Sequence, residues 1–146
     1  MNKLKVLFLC TGNSCRSQIA EGWARSLKGE QIEAYSAGTK PKGLNPDAAF
    51  VMKEVGIDIS SHKSQHIDEF LEMGLDWVVT VCGHADETCP TFPGNTRVIH
   101  KGFDDPPVLA AGLEQDEERL APYRRVRDEI REFIETLPEL LNKETK

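Results

Sequence analysis

Residues 3–27 read KLKVLFLCTGNSCRSQIAEGWARSL, and they indicate the architecture of the chain. The apolar run at 3–9 is typical of a β-strand, and the apolar residues within 16–27 recur at helical spacing. The turn between them contains glycine and asparagine, which tolerate a left-handed backbone. The stretch therefore predicts a strand, a tight loop and a helix, the repeating unit of α/β proteins.

The rest of the chain continues this alternation. Further strands are predicted at 31–37, 77–81 and 95–100. Helices are predicted to begin at Asn45-Pro46, at Ser64 and at Pro122, the last with apolar residues at 3–4 spacing. We therefore expect residues 1–146 to form a single domain of the α/β class, with a doubly wound four-stranded parallel sheet flanked by helices.

Composition narrows the class of function. The 146 residues carry a formal net charge of −6, which argues against nucleic acid as a partner because such binding needs clustered Lys and Arg. No segment approaches the roughly 20 apolar residues of a membrane span, and the first apolar run is too short for a secretory signal. We predict a cytoplasmic protein, most simply a monomer, that binds no membrane. Four cysteines in a reducing compartment are expected to be catalytic, redox-active or metal-binding.

Residues 10–17, CTGNSCRS, have the chemistry of an oxyanion site. They lie between the first strand and the amino terminus of the first helix, where unpaired amides bind anions. Cys10 is expected to be an ionised nucleophile, because helix amino termini and cations favour a thiolate, and Ser17 can donate its hydroxyl to that sulfur. The anion is expected to be held by the loop itself, with the guanidinium of the last residue binding two oxygens: Thr11, Gly12, Asn13, Ser14, Cys15 and Arg16.

The chain resembles thioredoxin-coupled arsenate reductases, a family built on the low-molecular-weight tyrosine phosphatase fold. The resemblance covers nearly the whole chain, through residues 10–17, 21–23, 36–38, 45–46, 78–82, 89–90, 102–106 and 125–130. It implies that Cys10 is the nucleophile, Arg16 the oxyanion-binding arginine and Asp105 the general acid, with Cys82 and Cys89 as redox cysteines. It further implies that arsenate is reduced to arsenite without a cofactor and that thioredoxin is the reductant.

The implied roles agree with the chemistry. An oxygen leaves arsenate readily only when protonated, so an acid must face the cavity, although spacing alone does not separate Asp104 from Asp105. Once Cys10 is bonded to arsenic, a thiolate that attacks the Cys10 sulfur passes two electrons to arsenic and leaves a disulfide. Cys82 follows the third strand and is expected beside Cys10, and Cys89 would then attack Cys82.

The segment between the two redox cysteines is expected to change shape. If 83–89 were helical, the Cα atoms of Cys82 and Cys89 would be about 10 Å apart, whereas a disulfide needs about 7 Å or less. We therefore expect this segment to unwind on oxidation, with faster amide exchange in the oxidised protein.

A cation position is also expected beside the loop. Some members of the family hold potassium there, with ligands that match Asn13, Glu21 and Ser36 and others near positions 63 and 65. Here those two are Lys63 and Gln65, so we expect the Lys63 ammonium to replace the ion and activity to be independent of potassium. No metal site is predicted from the histidines, which show no shared spacing.

Two alternatives stay open. A low-molecular-weight protein tyrosine phosphatase would share the nucleophile, the arginine and the acid, but that family usually follows its Asp-Pro with aromatic residues, where this chain has Pro107-Val108. A weak phosphatase side activity is expected because phosphate and arsenate are nearly isosteric. A non-enzymatic zinc or arsenite module is disfavoured, since the cysteines lack the close pairs of structural zinc sites. Cys15 is expected to be structural or to pair with Cys10 off the pathway.

Overall fold

A parallel sheet of four strands forms the centre of the structure. The computed structural model describes residues 3–83, 89 and 91–144. The strands are β1 (Leu4–Cys10), β2 (Ile32–Gly38), β3 (Trp77–Thr80) and β4 (Arg97–His100), in the order β2-β1-β3-β4, and every pairing is parallel. The prediction of a four-stranded parallel α/β sheet flanked by helices is confirmed.

Helices connect the strands and cover the sheet. They are α1 (Arg16–Lys28), α2 (Pro46–Glu54), α3 (Pro106–Ala110), α4 (Asp116–Glu135) and α5 (Glu139–Glu144), with a 3₁₀ turn at Ile67–Phe70. α1 packs against α4 and β2. Within the described ranges, none of the helices combines the length and apolarity needed to cross a membrane.

The register of the sheet places the ends of three strands together. Cys10 pairs with Gly38, and Leu9 pairs with Thr80. Residues 6–10 and 77–80 are buried, as expected for central strands that are covered on both faces and are therefore apolar throughout. The residues that follow β1, β2 and β3 consequently meet at one edge, above an apolar core.

The expected helix start at Ser64 is wrong. The 3₁₀ turn is capped by His66, whose Nδ1 accepts from the amide of Asp68 at 3.0 Å, while Glu69 accepts from the amide of His66 at 2.9 Å. These two bonds form a capping box. The Ser64 hydroxyl instead donates to the carbonyl of Asn13 at 2.7 Å, so this cap-type residue serves a distant loop.

The expected start of the last long helix at Pro122 is also wrong, because α4 begins at Asp116 and contains the proline. Its first turn is acidic, which complements the positive end of the helix dipole. Arg119 joins that turn to Asp47 of α2, with Nε 3.0 Å from the carboxylate. A tertiary contact and a favourable dipole therefore extend the helix in front of its proline.

Candidate active site

A cavity of about 460 Å³ opens at the carboxyl edge of the sheet. Its wall comes from four parts of the chain, listed here in sequence order: Cys10, Thr11, Gly12, Ser14, Cys15, Arg16, Lys42, Cys82, Gly83, Asp105 and Pro107. The structure thus brings together most of the predicted site residues. Parallel register explains this, since each of these residues lies in or after the end of a strand or in the loop behind it.

The cradle loop, residues 10–16, turns its carbonyls away from the cavity. The carbonyls of Thr11, Gly12 and Ser14 accept the backbone amides of Lys40 at 2.8 Å, Lys42 at 3.0 Å and Asn45 at 2.9 Å, respectively, so residues 40–45 run alongside the loop. The Asn13 carbonyl accepts from Ser64. With these acceptors satisfied from outside, the loop can present its amides to an anion.

The nucleophile candidate Cys10 has a defined hydrogen-bond donor. Its sulfur lies 2.9 Å from Ser17 Oγ, and Asn13 Nδ2 donates to the same Oγ at 2.8 Å. Because that oxygen already accepts from Asn13, its proton is free to point at Cys10. Cys10, Asn13 and Ser17 are all buried, so water does not compete for these bonds.

Asn13 itself is held in an uncommon conformation. Its φ is 45°, in the left-handed region, and its Oδ1 accepts from the amide of Gln65 at 2.7 Å. Gln18 Nε2 donates to the Asn13 carbonyl at 3.2 Å, and Gln18 Oε1 lies 2.9 Å from His62 Nδ1. Since Gln18 presents an oxygen there, His62 Nδ1 carries the proton. The bonds around Asn13 therefore fix which face of its amide meets Ser17.

Arg16 and the two neighbouring aspartates have separate environments. Arg16 Nη1 donates to the carbonyl of Phe103 at 3.0 Å, and its Nη2 lies 3.5 Å from Asp105 Oδ2. Asp104 instead pairs with Arg125 at 3.0 Å, away from the residues that line the cavity. The structure therefore distinguishes the two aspartates, which the sequence left equivalent.

The sequence around Asp105 explains why its carboxylate is available. Asp105 precedes α3 in the capping position, yet its side chain makes no capping hydrogen bond. Pro106 and Pro107 have no amide to donate, and the amide of Val108 bonds to the Asp105 carbonyl at 3.1 Å. The proline pair thus leaves the carboxylate free to face Arg16.

Cys82 and Cys89 lie in different surroundings. Cys82 is buried, lines the cavity and has its sulfur 3.4 Å from Thr11 Oγ1. Cys89 is partly buried against the hydrophobic core and is not among the described residues that line the cavity. All four cysteines are free thiols. Residues 84–88 and 90 lie outside the described residues, so the expected unwinding of 83–89 stays a prediction.

Cys15 differs from Cys10 in its electrostatics. Burial raises the pKa of the Cys15 thiol far above its ordinary value, and the negative charges of Cys10 and Asp105 act in the same direction, against the opposing effect of Arg16. Only 4% of the residue is exposed. A neutral thiol at Cys15 can therefore lie beside an ionised Cys10 without adding negative charge to the cavity.

The residues expected to bind a cation do not form an open site. Glu21 accepts from Ser36 at 2.5 Å and pairs with Arg25 at 2.8 Å. Lys63 is exposed, and within the described part of the chain Glu21 has Arg25 as its ion-pair partner. Arg25, and not Lys63, therefore supplies the positive charge at Glu21, and the carboxylate oxygens are already engaged in a way that does not fit a bound potassium ion.

Sequence reasoning missed Lys42 and Gln18. Gln18 is completely buried in α1, and a buried amide that faces a loop was the available signal. Lys42 follows β2, whose carboxyl end lies beside that of β1 in a parallel pair, so its proximity to the cradle loop could have been inferred from topology. The carbonyl-to-amide bond that places it depends on the fold and has no local signature.

Comparison with known proteins agrees with this geometry. The family model described as low molecular weight phosphotyrosine protein phosphatase matches residues 5–146. An arsenate reductase of Halalkalibacterium halodurans is 52% identical over 139 residues, which cover 95% of this chain and 98% of that protein. An arsenate reductase of Bacillus subtilis is also 52% identical over 139 residues, which cover 92% of this chain and 97% of that protein.

Solved structures give the same result. An arsenate reductase in its oxidised state superposes with a TM-score of 0.74 at 32% identity, covering 91% of this chain and 95% of that one. A low molecular weight protein tyrosine phosphatase from T. tengcongensis superposes with a TM-score of 0.72 at 28% identity, covering 94% and 99%, respectively.

Proposed function

Because the chain belongs to the arsenate reductases of the low molecular weight phosphotyrosine protein phosphatase family, we propose that it reduces arsenate to arsenite through Cys10, Cys82 and Cys89. One observation carries this proposal. Cys82 lines the same cavity as Cys10, Arg16 and Asp105. A second thiol beside an oxyanion site suits reduction, whereas hydrolysis needs only water at that position.

In the first step, the Cys10 thiolate attacks arsenic(V). The cradle loop amides and Arg16 hold the arsenate oxygens, and the Ser17 hydroxyl stabilises the thiolate before attack. A sulfur–arsenic bond forms and an arsenic–oxygen bond breaks, with Asp105 donating the proton that lets the oxygen leave as water. Arsenic stays in the +5 state.

In the second step, the Cys82 thiolate attacks the sulfur of Cys10. A Cys10–Cys82 disulfide forms, and the electron pair of the sulfur–arsenic bond passes to arsenic, which leaves as arsenite in the +3 state. Thr11 Oγ1, 3.4 Å from Cys82 Sγ, is placed to donate to this thiolate. Cys89 then attacks Cys82, which forms the Cys82–Cys89 disulfide and releases Cys10.

An external dithiol must return the two electrons. We propose thioredoxin in this role, in a cytoplasmic, monomeric enzyme. The four free thiols are consistent with a reducing compartment. Exchange with a dithiol protein oxidises the partner and restores both Cys82 and Cys89 as thiols.

Phosphate ester hydrolysis is the competing activity. The described residues that line the cavity include no aromatic ring to hold a phosphotyrosine, and Val108, which follows the two prolines, is 68% exposed. Cys10, Arg16 and Asp105 suffice for a slow hydrolysis, so we propose only a weak phosphatase side activity.

The experiment that tests the function is arsenate-dependent NADPH oxidation with thioredoxin and thioredoxin reductase. Wild type is compared with Cys82→Ser and Cys89→Ser, and Cys15→Ser serves as the matched control because it removes a thiol from the same cavity. We expect multiple turnovers for wild type and the control and none for the two relay variants. In Cys89→Ser, mass spectrometry after arsenate treatment should find a Cys10–Cys82 disulfide.

Two results would overturn the proposal. Full multiple turnover by both relay variants would eliminate the three-cysteine relay. Phosphate ester hydrolysis faster than arsenate reduction in the wild-type protein would assign the site to the phosphatase class.

A further inference from the structure

Lys42 is a second cation at the cavity. It lies outside the cradle loop in sequence, yet it lines the cavity beside Cys10, Arg16 and Asp105. Its amide donates to the carbonyl of Gly12 at 3.0 Å, which fixes its backbone against the loop. The position of this lysine is therefore set by the fold and not by a chance surface rotamer.

Gly12 provides the surface on which the Lys42 side chain lies. A β-carbon built on Gly12 would lie 3.0, 3.1 and 2.8 Å from Cγ, Cδ and Cε of Lys42. The aliphatic stem therefore runs along the glycine, and the ammonium projects beyond the face of the loop while the residue stays exposed. A side chain at position 12 would displace that stem.

The charges of the cavity show what Lys42 contributes. Arg16 is already engaged by Asp105 at 3.5 Å and by the carbonyl of Phe103, whereas in the described part of the chain Lys42 contacts no carboxylate. When Cys10 is ionised, the cavity wall without Lys42 would hold two negative groups and one positive group. A dianion would then enter against repulsion at contact distance.

We propose that Lys42 is an oxyanion-binding residue that captures the tetrahedral dianion and determines its affinity, and this rests on the proposed function for the identity of the substrate. The ammonium offsets the charge of the thiolate and of the incoming oxyanion, and Arg16 then exchanges its contact with Asp105 for the bound oxygens. Lys42 takes no part in proton transfer or disulfide exchange, so its effect falls on binding and not on turnover.

The test uses Lys42→Met, which keeps an unbranched stem over Gly12 and removes the charge. Lys42→Arg is the rescue variant. Lys40→Met is the matched control, because Lys40 also bonds to the loop through its amide but is not among the residues that line the cavity. The readouts are the Kd of inorganic phosphate by calorimetry and kcat and KM for arsenate in the thioredoxin assay.

For Lys42→Met we expect Kd for phosphate and KM for arsenate to rise about fivefold, with kcat within about twofold of wild type. Lys42→Arg and Lys40→Met should stay close to wild type. Rising sodium chloride should weaken phosphate binding to wild type more steeply than to Lys42→Met, because screening acts on the charge that the variant lacks.

Unchanged phosphate affinity in Lys42→Met would overturn the inference. So would a loss of affinity that keeps the wild-type salt dependence or that occurs equally in Lys40→Met, since either result would indicate a structural effect on the loop. If wild type bound phosphate in a Lys42-dependent way but did not reduce arsenate, the proposed function would fail and the role of Lys42 in anion binding would stand.

Discussion

The hydroxyl of Ser17 lies 2.9 Å from the sulfur of Cys10, and the amide of Asn13 determines the direction of that hydrogen bond by donating to the same oxygen. All three residues are buried. A directed donor in a site without competing water stabilises a thiolate more than it stabilises a thiol. The loop thus holds its nucleophile in the ionised form through side chains as well as through backbone amides.

Ser17→Ala should therefore slow the reaction of Cys10 with alkylating reagents near neutral pH. A hydrogen bond to a charged group contributes about 1.5–3 kcal/mol, so we expect the rate with iodoacetamide at pH 6.5 to fall about tenfold. The alkylated residue is identified by peptide mass spectrometry. Ser26→Ala, an exposed change in the same helix, is the control and should leave the rate unchanged. Equal rates in wild type and Ser17→Ala would contradict the role of Ser17.

The sequence was sufficient for the parts of the fold that depend on local chemistry. The loop between β1 and α1 and the proline that begins α2 have local signatures, and the structure has them as predicted. Ser64 was misread because its hydroxyl is used by the distant Asn13 carbonyl, while His66 takes the capping role. Long-range hydrogen bonding of this kind has no signature in neighbouring residues.

The candidate site shows the same division. The sequence placed Cys10 and Cys82 at one sheet edge because parallel strands share their carboxyl ends. It left Asp104 and Asp105 equivalent, since only the partners Arg125 and Arg16 separate them. It assigned the charge near Glu21 to the wrong residue, because a bond across one helical turn to Arg25 was overlooked.

Asp105→Asn should impair the first chemical step. A general acid contributes about 10²–10⁴-fold to a rate, so the single-turnover formation of arsenite should fall by at least about 100-fold. Phosphate binding should persist, since asparagine removes a negative charge that faces the anion. Asp104→Asn is the matched control, and its rate should stay within about twofold because Asp104 pairs with the exposed Arg125. A comparable loss in the two variants would remove the distinction drawn between these aspartates.

Gly38→Ala should disrupt the cradle loop from behind. A β-carbon on Gly38 would lie 2.5 Å from the Thr11 carbonyl oxygen and 2.8 Å from the Asn13 amide nitrogen, and both are backbone atoms that cannot rotate away. We expect the free energy of unfolding, measured in urea, to fall by about 1–3 kcal/mol and phosphate binding to weaken.

Gly102→Ala is the control for this change, because its β-carbon would meet side-chain atoms of His100 at 3.1 and 3.5 Å, and these can move. Its stability should stay within about 0.5 kcal/mol of wild type. If Gly38→Ala were as stable as Gly102→Ala and bound phosphate normally, the close packing of β2 on the loop would have no functional consequence.

Cys15 should make the protein less stable at alkaline pH. Burial, reinforced by the charges of Cys10 and Asp105, raises the pKa of this thiol in the folded protein, whereas in the unfolded chain it ionises near its ordinary value of about 8.5. Below that value both states hold the proton and the contribution to stability is fully present. Above it the unfolded state alone loses the proton, so unfolding becomes more favourable as pH rises, by up to about 1.4 kcal/mol per pH unit.

Cys15→Ala removes this group and should flatten the alkaline loss. The free energy of unfolding is measured in urea at pH 7.5, 8.5, 9.5 and 10.5 under reducing conditions, and the difference between wild type and variant is plotted against pH, so that the other titrating residues cancel. Wild type should lose stability relative to the variant only above about pH 8.5. Parallel curves over the whole range would mean that the folded protein tolerates an ionised Cys15, and the view that this thiol stays neutral beside Cys10 would be wrong.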